Sequence, residues 1–312
     1  MDTHNQENKA TSAKITSVKR REHFLNDDSR EIAIAPNAGA CFGVVRAIKL
    51  AEQSAKRASA SNPVYGLGAL IHNPQVVDRL ERGGIKTVQN AAEIPSGTVI
   101  LRSHGIQKEV EGTLRSRGVK IVDATCPLVK KPQRLAQSLA EKGYFLVLVG
   151  DEKHPETKGV LSYFGTENFL VTYKVEELSR IPDSVTKVGI IAQTTIEFKM
   201  LDEVVSTCKQ RFPDVIVYNT ICDATSVRQS EVDVLAKEAD VMLVIGGKNS
   251  SNTNKLVKIC RDHGCETFLV ETFEEINLAW FEKKKKIAIT GGASTPQEFV
   301  DEVGEKIAHL LN

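Results

Sequence analysis

The sequence predicts an α/β protein of three pseudo-threefold-related lobes, each with a small, mainly parallel sheet flanked by helices, around a central cavity. Two observations predict this fold. Apolar runs of strand length alternate with helix-length segments from residue 31 onwards, which is typical of parallel sheets covered by helices. The same arrangement of segments also occurs three times along the chain, and such repeats indicate structurally equivalent units.

Each repeat begins with a strand, a cysteine and a helix. The cysteines lie in NAGACFGVV, VDATCPLVKK and TICDATSV, and they are Cys41, Cys126 and Cys222. A second strand ends in a first polar cluster, 28 to 31 residues after the cysteine, at His72, His154 and Ser250. A later strand ends in a second polar cluster, 63 to 72 residues after the cysteine, at His104, Thr194 and Ser294. Agreement in both offsets and in the order of the elements supports a true repeat.

The repeat also predicts the boundaries of the lobes, at residues 31–125, 126–221 and 222–312. The third copy lacks its last strand, and the chain has one further strand at its start, EIAIAP. We therefore expect this first strand, residues 31–36, to close the third lobe. Residues 1–30 are polar and lack hydrophobic periodicity, which predicts a disordered N-terminal tail.

Composition excludes several classes of function. The chain has 312 residues, of which 41% are hydrophobic, and its net charge is +1. It therefore has enough apolar residues for several cores, and no basic excess for binding nucleic acid or an anionic membrane. The apolar runs have strand length and fall far short of the about 20 residues that span a membrane. The first thirty residues contain five acidic residues and no apolar signal core, so we expect a cytoplasmic protein.

The three repeat cysteines are candidate metal ligands. In parallel sheets, ligands gather at the carboxyl ends of strands beside helix N-termini, so we expect the three thiols to meet in the central cavity. Helix N-termini and nearby cations such as Arg46 and Lys130 should lower the thiol pKa values and favour the metal-binding thiolate. Three thiolates suit zinc or an iron–sulfur cluster, and a cubane cluster with only three cysteine ligands has one iron open to substrate.

An alternative for these cysteines is that they are small buried hydrophobic residues, as free cysteine commonly is. Matched positions in three repeats argue against this alternative for Cys41, Cys126 and Cys222. Cys208, Cys260 and Cys265 lie outside the matched positions, so for these three we expect a place in the core.

The polar clusters indicate the ligand of the cavity. They offer many hydrogen-bonding groups and little fixed positive charge, in His72, His104, Thr194, Thr195, Ser250, Ser251, Asn252 and Ser294. Together with helix N-termini, such groups suit a small phosphorylated anion. Singly, each is more typical of polar surface or of turn and cap chemistry.

Glu156, in the segment HPET, is the only carboxylate in the polar clusters. A carboxylate in a dry cavity should have a raised pKa and could carry protons. The alternative is a glutamate in the first turn of a helix that interacts with the helix dipole.

Nine motifs carry a resemblance to a known family. From about Glu31 to Val303 they occur in the order ACFGVVRAI, ALIHNP, RSHG, DATCPLVKK, HPET, AQTT, ICDAT, KNSSNTNK and GGAS. Together they resemble the LytB/IspH family of 4-hydroxy-3-methylbut-2-enyl diphosphate reductases. The resemblance implies a reductive dehydroxylation, in which two electrons and protons remove a hydroxyl as water and yield isopentenyl and dimethylallyl diphosphates. This is the last step of the non-mevalonate isoprenoid pathway, and ferredoxin or flavodoxin is the implied electron donor.

The resemblance also implies a role for individual residues. A [4Fe–4S] cluster would be bound by Cys41, Cys126 and Cys222, with one open iron site that meets the substrate's hydroxyl. The diphosphate would be held by His72, His104, Ser250, Asn252 and Ser294, with Ser251 adjacent and His154 lining the pocket. Glu156 would be the proton carrier, and Thr194 would place the substrate or a water near the iron.

The sequence departs from the family pattern at one position, and two other functions are compatible with the three cysteines. The first cysteine loop reads ACFGV where the family leads us to expect Cys-Ala-Gly-Val, so Phe42 enlarges a neighbour of a cysteine ligand. A zinc hydrolase with three cysteine ligands and an open site is one rival. An iron–sulfur redox sensor is another, but a sensor needs no set of groups for a diphosphate. The Lys283 to Lys286 run is most simply a solvated connection, or else a docking patch for an acidic electron donor.

Overall fold

A computed structural model describes residues 15–21, 24 and 30–312 of the chain. Its strands are β1 (Ile15–Arg20), β2 (Arg30–Ile34), β3 (Val64–Leu67), β4 (Ile85–Val88), β5 (Thr98–Leu101), β6 (Lys120–Asp123), β7 (Phe145–Val149), β8 (Phe169–Thr172), β9 (Lys187–Ala192), β10 (Asp214–Tyr218), β11 (Val241–Ile245), β12 (Glu266–Val270) and β13 (Lys286–Gly291). Its α-helices are α1 (Phe42–Ala55), α2 (Pro74–Arg82), α3 (Lys108–Ser116), α4 (Pro127–Glu141), α5 (Pro155–Phe164), α6 (Phe198–Arg211), α7 (Asp223–Glu238), α8 (Ser251–Asp262) and α9 (Gln297–Leu311).

The strands form three separate parallel sheets. Their orders are β4-β3-β5-β6, β8-β7-β9-β10 and β12-β11-β13-β2-β1. The first four positions of each sheet follow one pattern, because β3, β7 and β11 each lie between the next two strands of their own repeat. The predicted fold class, three lobes with small parallel sheets flanked by helices, is confirmed. The predicted lobe boundaries within the connecting segments stay a prediction.

Burial explains why these segments become central strands. All five residues of β11, VMLVI, are buried, as expected for a parallel strand with helices on both faces. The third sheet and its helices form one large core that includes Leu243, Leu256 and Ile289. The first and second sheets have separate cores on their two faces. Cys208, Cys260 and Cys265 are buried in these cores.

The first strand of the folded region belongs to the third sheet. β2 pairs with β13 in parallel, with Ile32 opposite Ile287 and Ile34 opposite Ile289. The last sheet of the molecule therefore includes a strand from the start of the chain. Its β2 takes the position that β6 and β10 have in the other two sheets.

The structure corrects part of the predicted N-terminal tail. Ile15–Arg20 is the strand β1, which pairs with the outer edge of β2. Arg20 secures its end, because its guanidinium donates to the backbone oxygens of Ala35, Pro36 and Ala38 at 3.0 to 3.1 Å. The segment ITSVKR contains only two apolar residues, so hydrophobic periodicity did not reveal it. Most of the other residues between 1 and 30 lie outside the described ranges.

Two sets of helices begin at the predicted clusters. Cys41, Cys126 and Cys222 are the N-cap residues of α1, α4 and α7. α2, α5 and α8 begin at the first polar clusters, and their N-cap residues are Asn73, His154 and Ser250. Six helix N-termini thus lie at the carboxyl ends of strands. Within the described ranges, no helix combines the length and the apolar composition that crossing a membrane requires.

Candidate active site between the three sheets

A single cavity brings the predicted site residues together. It has an empty volume of about 670 Å³ and is lined by residues from all three lobes. The predicted residues among them are Cys41, His72, His104, Cys126, His154, Glu156, Thr194, Thr195, Cys222, Ser250, Ser251, Asn252 and Ser294. The cavity thus contains every residue that the sequence singled out for binding or catalysis. Their individual roles stay predictions.

The three cysteines are held by equivalent backbone hydrogen bonds. The N–H groups of Cys41, Cys126 and Cys222 donate to the carbonyl oxygens of Ala293, Ser103 and Thr194, at 3.0, 2.9 and 2.9 Å. Each acceptor lies in the second polar cluster of another repeat. The repeat geometry therefore positions each thiol against its neighbouring unit, and all three are partly exposed.

Close packing also brings two of the thiols to one place. A methyl group on Gly43 would lie 2.6 Å from Cys126 Sγ and 3.9 Å from Cys41 Sγ. Only a glycine leaves room for Cys126 Sγ at this point of α1, whereas 3.9 Å from Cys41 Sγ is an ordinary contact. The first turn of α1 is therefore shaped around the thiols.

The prediction of a lowered thiol pKa is wrong for two of the three cysteines when no metal group is bound. Burial raises the pKa of Cys126 and of Cys222, although backbone N–H groups of the following helix turn oppose this rise. Of the nearby cations, Arg46 donates to the carbonyl oxygens of Asp123 and Thr125, and Lys130 pairs with Asp123. The positive charge of Arg228 lies near Cys41 and Cys222. A bound metal group would add positive charge that stabilises the thiolates further.

Three histidines that line the cavity form a compact group. The ring centroids of His72 and His104 are 4.2 Å apart. The ring centroid of His154 lies 5.9 Å from that of His72 and 5.7 Å from that of His104. Burial lowers the pKa of all three, to about 4 for His154, and the positive charge of Arg102 adds to this effect. The imidazoles are thus neutral at pH 7.

Several buried polar atoms of the cavity have no hydrogen-bond partner. They are Nε2 of His72, Nδ1 of His104, and both the amide nitrogen and the amide oxygen of Asn252. A buried polar atom without a partner costs roughly 1–3 kcal/mol. The site is therefore complete only with a polar ligand that bonds to these atoms.

Glu156 is fully buried in the first turn of α5. Its two oxygens accept hydrogen bonds from the backbone N–H and the hydroxyl of Thr194, both at 2.7 Å. Burial raises the pKa of Glu156 to about 7, and the two bonds from Thr194 oppose the rise. The side chain can thus exist in both protonation states near neutral pH. His154 Nδ1 accepts from the backbone N–H of Glu156 at 3.2 Å, which fixes the start of the helix.

Gln193 connects the second and third lobes and was not predicted. Its Nε2 donates to the hydroxyls of Thr195 and Ser251, at 2.9 and 3.4 Å, and these hydroxyls lie 2.9 Å apart. Its Oε1 accepts from the backbone N–H of Asp151. The sequence signal was its place beside Thr194 in the motif AQTT. Ser103 and Arg102, in RSHG, were also missed as parts of the site.

The comparison with protein families decides the relationship. The family model described as LytB protein matches residues 32–308. The chain belongs to the LytB protein family.

Curated LytB relatives match over nearly their whole length. A 4-hydroxy-3-methylbut-2-enyl diphosphate reductase of Geobacter metallireducens is 46% identical over 90% of this chain and 98% of its own. The enzyme of the same name from Syntrophotalea carbinolica is 45% identical over 90% of this chain and 99% of its own.

Two solved structures have the same fold. One, described as (E)-4-hydroxy-3-methyl-but-2-enyl diphosphate reductase, the terminal enzyme of the non-mevalonate pathway, is 43% identical, with a TM-score of 0.67 over 90% of this chain and 99% of its own. The other is the E-1-hydroxy-2-methyl-but-2-enyl-4-diphosphate reductase from Plasmodium falciparum. It is 26% identical, with a TM-score of 0.83 over 89% of this chain and 87% of its own.

Membership of the LytB family implies an iron–sulfur cluster, and the thiols fit one. Thiolates are the usual ligands of such clusters, and here three thiols from three helix N-caps face one cavity, with Gly43 leaving space between two of them. Within the described ranges, no three His, Cys, Asp or Glu side chains are arranged around a single metal ion.

Proposed function

We propose that the protein is a 4-hydroxy-3-methylbut-2-enyl diphosphate reductase that forms isopentenyl and dimethylallyl diphosphates. The observation that carries this proposal is the composition of one cavity. It contains three thiols, a buried carboxylate with a pKa of about 7, and buried histidine and asparagine atoms without partners. Electron supply, proton supply and anion binding are thus possible within one cavity, as a reductive dehydroxylation requires.

Cys41, Cys126 and Cys222 would hold a [4Fe–4S] cluster with one iron that has no protein ligand. Three cysteine ligands leave one position of a cubane cluster open. When bound, the cluster supplies the electrons and a Lewis-acidic iron site. The three backbone bonds to Ala293, Ser103 and Thr194 hold the thiols in place for this purpose.

The diphosphate would occupy the polar side of the cavity. His72, His104 and Asn252 have nitrogen atoms ready to donate, and Ser250, Ser251 and Ser294 offer hydroxyls on the same wall. The N-termini of α2, α5 and α8 add the positive ends of helix dipoles, which favour phosphate. One first-turn N–H of each helix is already bonded to its cap residue. Because the histidines are neutral, each donates one proton to a hydrogen bond and adds no charge that must be buried. His154 lines the same space.

Glu156 would supply protons to the reaction. Breaking the carbon–oxygen bond of the hydroxyl and forming one carbon–hydrogen bond consumes two electrons and two protons and releases one water. A carboxyl group with a pKa of about 7 can give up a proton at neutral pH and take another from solvent. Thr194 would hold this carboxyl group in position, since it donates two hydrogen bonds to it.

Mössbauer spectroscopy on anaerobic, iron-57-labelled protein tests the proposal. We expect one iron whose signal differs from the other three and shifts when 4-hydroxy-3-methylbut-2-enyl diphosphate is added. The proposal would be overturned if the signals of all four irons were unchanged by the diphosphate, or if protein kept free of oxygen contained no cluster.

A pair of cysteine variants provides the matched control. Cys222→Ser should lose iron and sulfide together with turnover, because it removes a cavity thiol. Cys208→Ser removes a thiol that is fully buried in the core of the second lobe, so it should keep the cluster even if it loses some stability. Equal iron content in both variants would contradict the assignment of the ligands.

Ferredoxin or flavodoxin would supply the electrons. The transfer needs two one-electron steps, because each carrier molecule gives up one electron at a time. The reaction therefore requires repeated contact between the carrier and a surface near the three thiols.

A further inference from the structure

Exposed apolar side chains concentrate on the three helices that begin at the cavity cysteines. Within the described ranges, six large hydrophobic side chains are exposed, and four of these are on α1, α4 and α7. We name these four the cysteine-helix patch: Phe42 (74% exposed), Val45 (53%), Leu128 (44%) and Val227 (42%). Isolated exposed hydrophobic residues are normal, but a group of them around one site is a feature of interaction surfaces.

The patch residues lie close to the thiols and around one point of the molecule. Phe42 directly follows Cys41, and Leu128 lies two residues after Cys126. α1 contacts the loop before Cys126, because Arg46 donates to the carbonyl oxygen of Thr125 at 3.2 Å.

α7 reaches the same region from the third lobe. Arg228, next to Val227, donates to the carbonyl oxygen of Gly39 at 2.6 Å, two residues before Cys41. The first turns of α1, α4 and α7 therefore converge, and the patch surrounds this point, with Leu128 also lining the cavity.

Basic side chains border the patch. Lys49 lies one turn beyond Val45 on the exposed face of α1, and Lys131 lies one turn beyond Leu128 on α4, followed by Arg134. All three are exposed, and within the described residues none of them has an acidic partner within 4 Å. Two exposed acidic residues, Asp223 at the start of α7 and Glu52 one turn beyond Lys49, have the opposite charge. An apolar centre with a basic border matches a partner with an acidic surface.

The other basic segment is badly placed for electron transfer. Lys283 to Lys286 lie at the amino end of β13, whereas the cavity lies at its carboxyl end. Six residues of strand separate the two ends, about 20 Å at 3.3 Å per residue. Lys284 is also paired with Glu266. A carrier on that segment would thus be much farther from the thiols.

We propose that the cysteine-helix patch is the docking surface for a small acidic protein that carries a one-electron iron–sulfur centre near its surface. This inference rests on the proposed function, because it names the route by which the electrons arrive. The apolar side chains pack against the rim of the carrier's centre, and Lys49, Lys131 and Arg134 attract its acidic residues. In each docking event one reduced carrier is oxidised and passes on one electron. Two events supply the two electrons that reduce the carbon–oxygen bond.

Two sources of electrons and three variants test this proposal on the cluster-loaded protein. The sources are an acidic [2Fe–2S] ferredoxin, which must dock, and dithionite-reduced methyl viologen, a small dye that needs no docking surface. The variants are the double change Lys49→Glu with Lys131→Glu, the single change Phe42→Ser, and Lys283→Glu as a control in the other basic segment. Cluster content is checked for each by its absorption and iron content.

We expect the double variant to raise the KM for ferredoxin about tenfold at low salt, and less at high salt, because reversed charges slow the association of complementary surfaces. Phe42→Ser should weaken ferredoxin binding with little change in its salt dependence. Turnover with methyl viologen should be unchanged in both, and Lys283→Glu should resemble the unaltered protein with either donor.

Binding of dye-labelled oxidised ferredoxin, followed by fluorescence anisotropy, gives a second result that does not depend on turnover. Equal affinity of the unaltered protein and the double variant would overturn the docking surface. So would a loss of affinity in Lys283→Glu alone. Absence of turnover with methyl viologen in the unaltered protein would overturn the proposed function instead, and the anisotropy result would still decide the docking surface.

Discussion

Glu156 and Thr194 form the contact on which most of the residue-scale chemistry depends. Replacing Glu156 by Gln keeps the size of the side chain and its bond from the Thr194 N–H, but removes the proton that the carboxyl group can transfer. Turnover with methyl viologen should fall at least about 100-fold, a usual loss for a general acid, while the absorption of the cluster is retained. Unchanged turnover would show that the protons come from elsewhere.

The same carboxyl group should make the unfolding free energy depend on pH. Its pKa is about 7 in the folded protein and 4.5 when unperturbed, so the folded state binds more protons than the unfolded state between these values. Stability from this group is therefore complete below pH 4.5 and is lost as the pH rises through 7. Between pH 4 and pH 8, the unaltered protein should lose about 3 kcal/mol of unfolding free energy through this group. Glu156→Gln has no carboxyl group at this position and should not show this loss. Urea unfolding of the cluster-free proteins measures this, and a difference independent of pH would contradict the raised pKa.

The neutral histidines predict a link between anion binding and protons. Burial and Arg102 lower the pKa of His72 and His104, and a bound diphosphate opposes this by stabilising the positive form. Inorganic pyrophosphate should therefore bind more tightly as the pH falls from 8 to 6, with uptake of protons. Calorimetry in two buffers of different ionisation enthalpy measures the uptake. Because pyrophosphate also ionises in this pH range, the proton count is compared with that of His104→Gln. An equal count in both proteins would show that the ligand lies away from the histidines.

Residues that belong to a repeated pattern could be found from the sequence, and residues defined by a contact could not. Cys41, Cys126 and Cys222 have matching offsets from the polar clusters, so their common site was predictable. Gln193 has its place because of hydrogen bonds to another lobe, which no local pattern encodes. The thiol pKa values depend on burial in the folded protein, and the neighbouring cations alone suggested the wrong direction.

At the scale of elements, the first turn of α1 requires a glycine at residue 43. Gly43→Ala would place a methyl group 2.6 Å from Cys126 Sγ, so the thiol or the helix must shift. We expect a loss of iron and sulfide and lower thermal stability. Gly112→Ala, in the exposed helix α3, meets no atom within 4 Å and should stabilise the protein by roughly 0.5–1 kcal/mol. Normal iron content in Gly43→Ala would mean that α1 can move away from the thiols at little cost.

The order of strands and helices was predictable because each repeat carries the same signals of burial and helix start. β11 is apolar throughout, and the helix starts coincide with Cys, His-Pro or Ser-Ser segments. β1 could not be predicted in this way. Its pairing with β2 uses backbone groups that every sequence has, and Arg20 acts through carbonyl oxygens of a loop more than ten residues away.

For the whole molecule, the pseudo-threefold arrangement gives the cavity two parts. The hydrogen bonds of the cysteine backbone are already formed, whereas the starts of α2, α5 and α8 can gain bonds from a ligand. The cysteine N–H groups are already bonded to Ala293, Ser103 and Thr194. The starts of α2, α5 and α8 lie in three different lobes, and in each of them a cap side chain bonds one N–H of the first turn, which leaves the others open to a ligand. A diphosphate that bonds to all three starts would draw the lobes together and exclude water.

Hydrogen–deuterium exchange on the cluster-loaded protein measures this closure. Adding 4-hydroxy-3-methylbut-2-enyl diphosphate should slow the exchange of amides in the first turns of α2, α5 and α8 together, because each turn gains bonds or loses access to water. The amides of Cys41, Cys126 and Cys222 should change little, and β4, at the outer edge of the first sheet, serves as an internal control. Slowing confined to one of the three helix starts would contradict closure and would place the diphosphate against a single lobe.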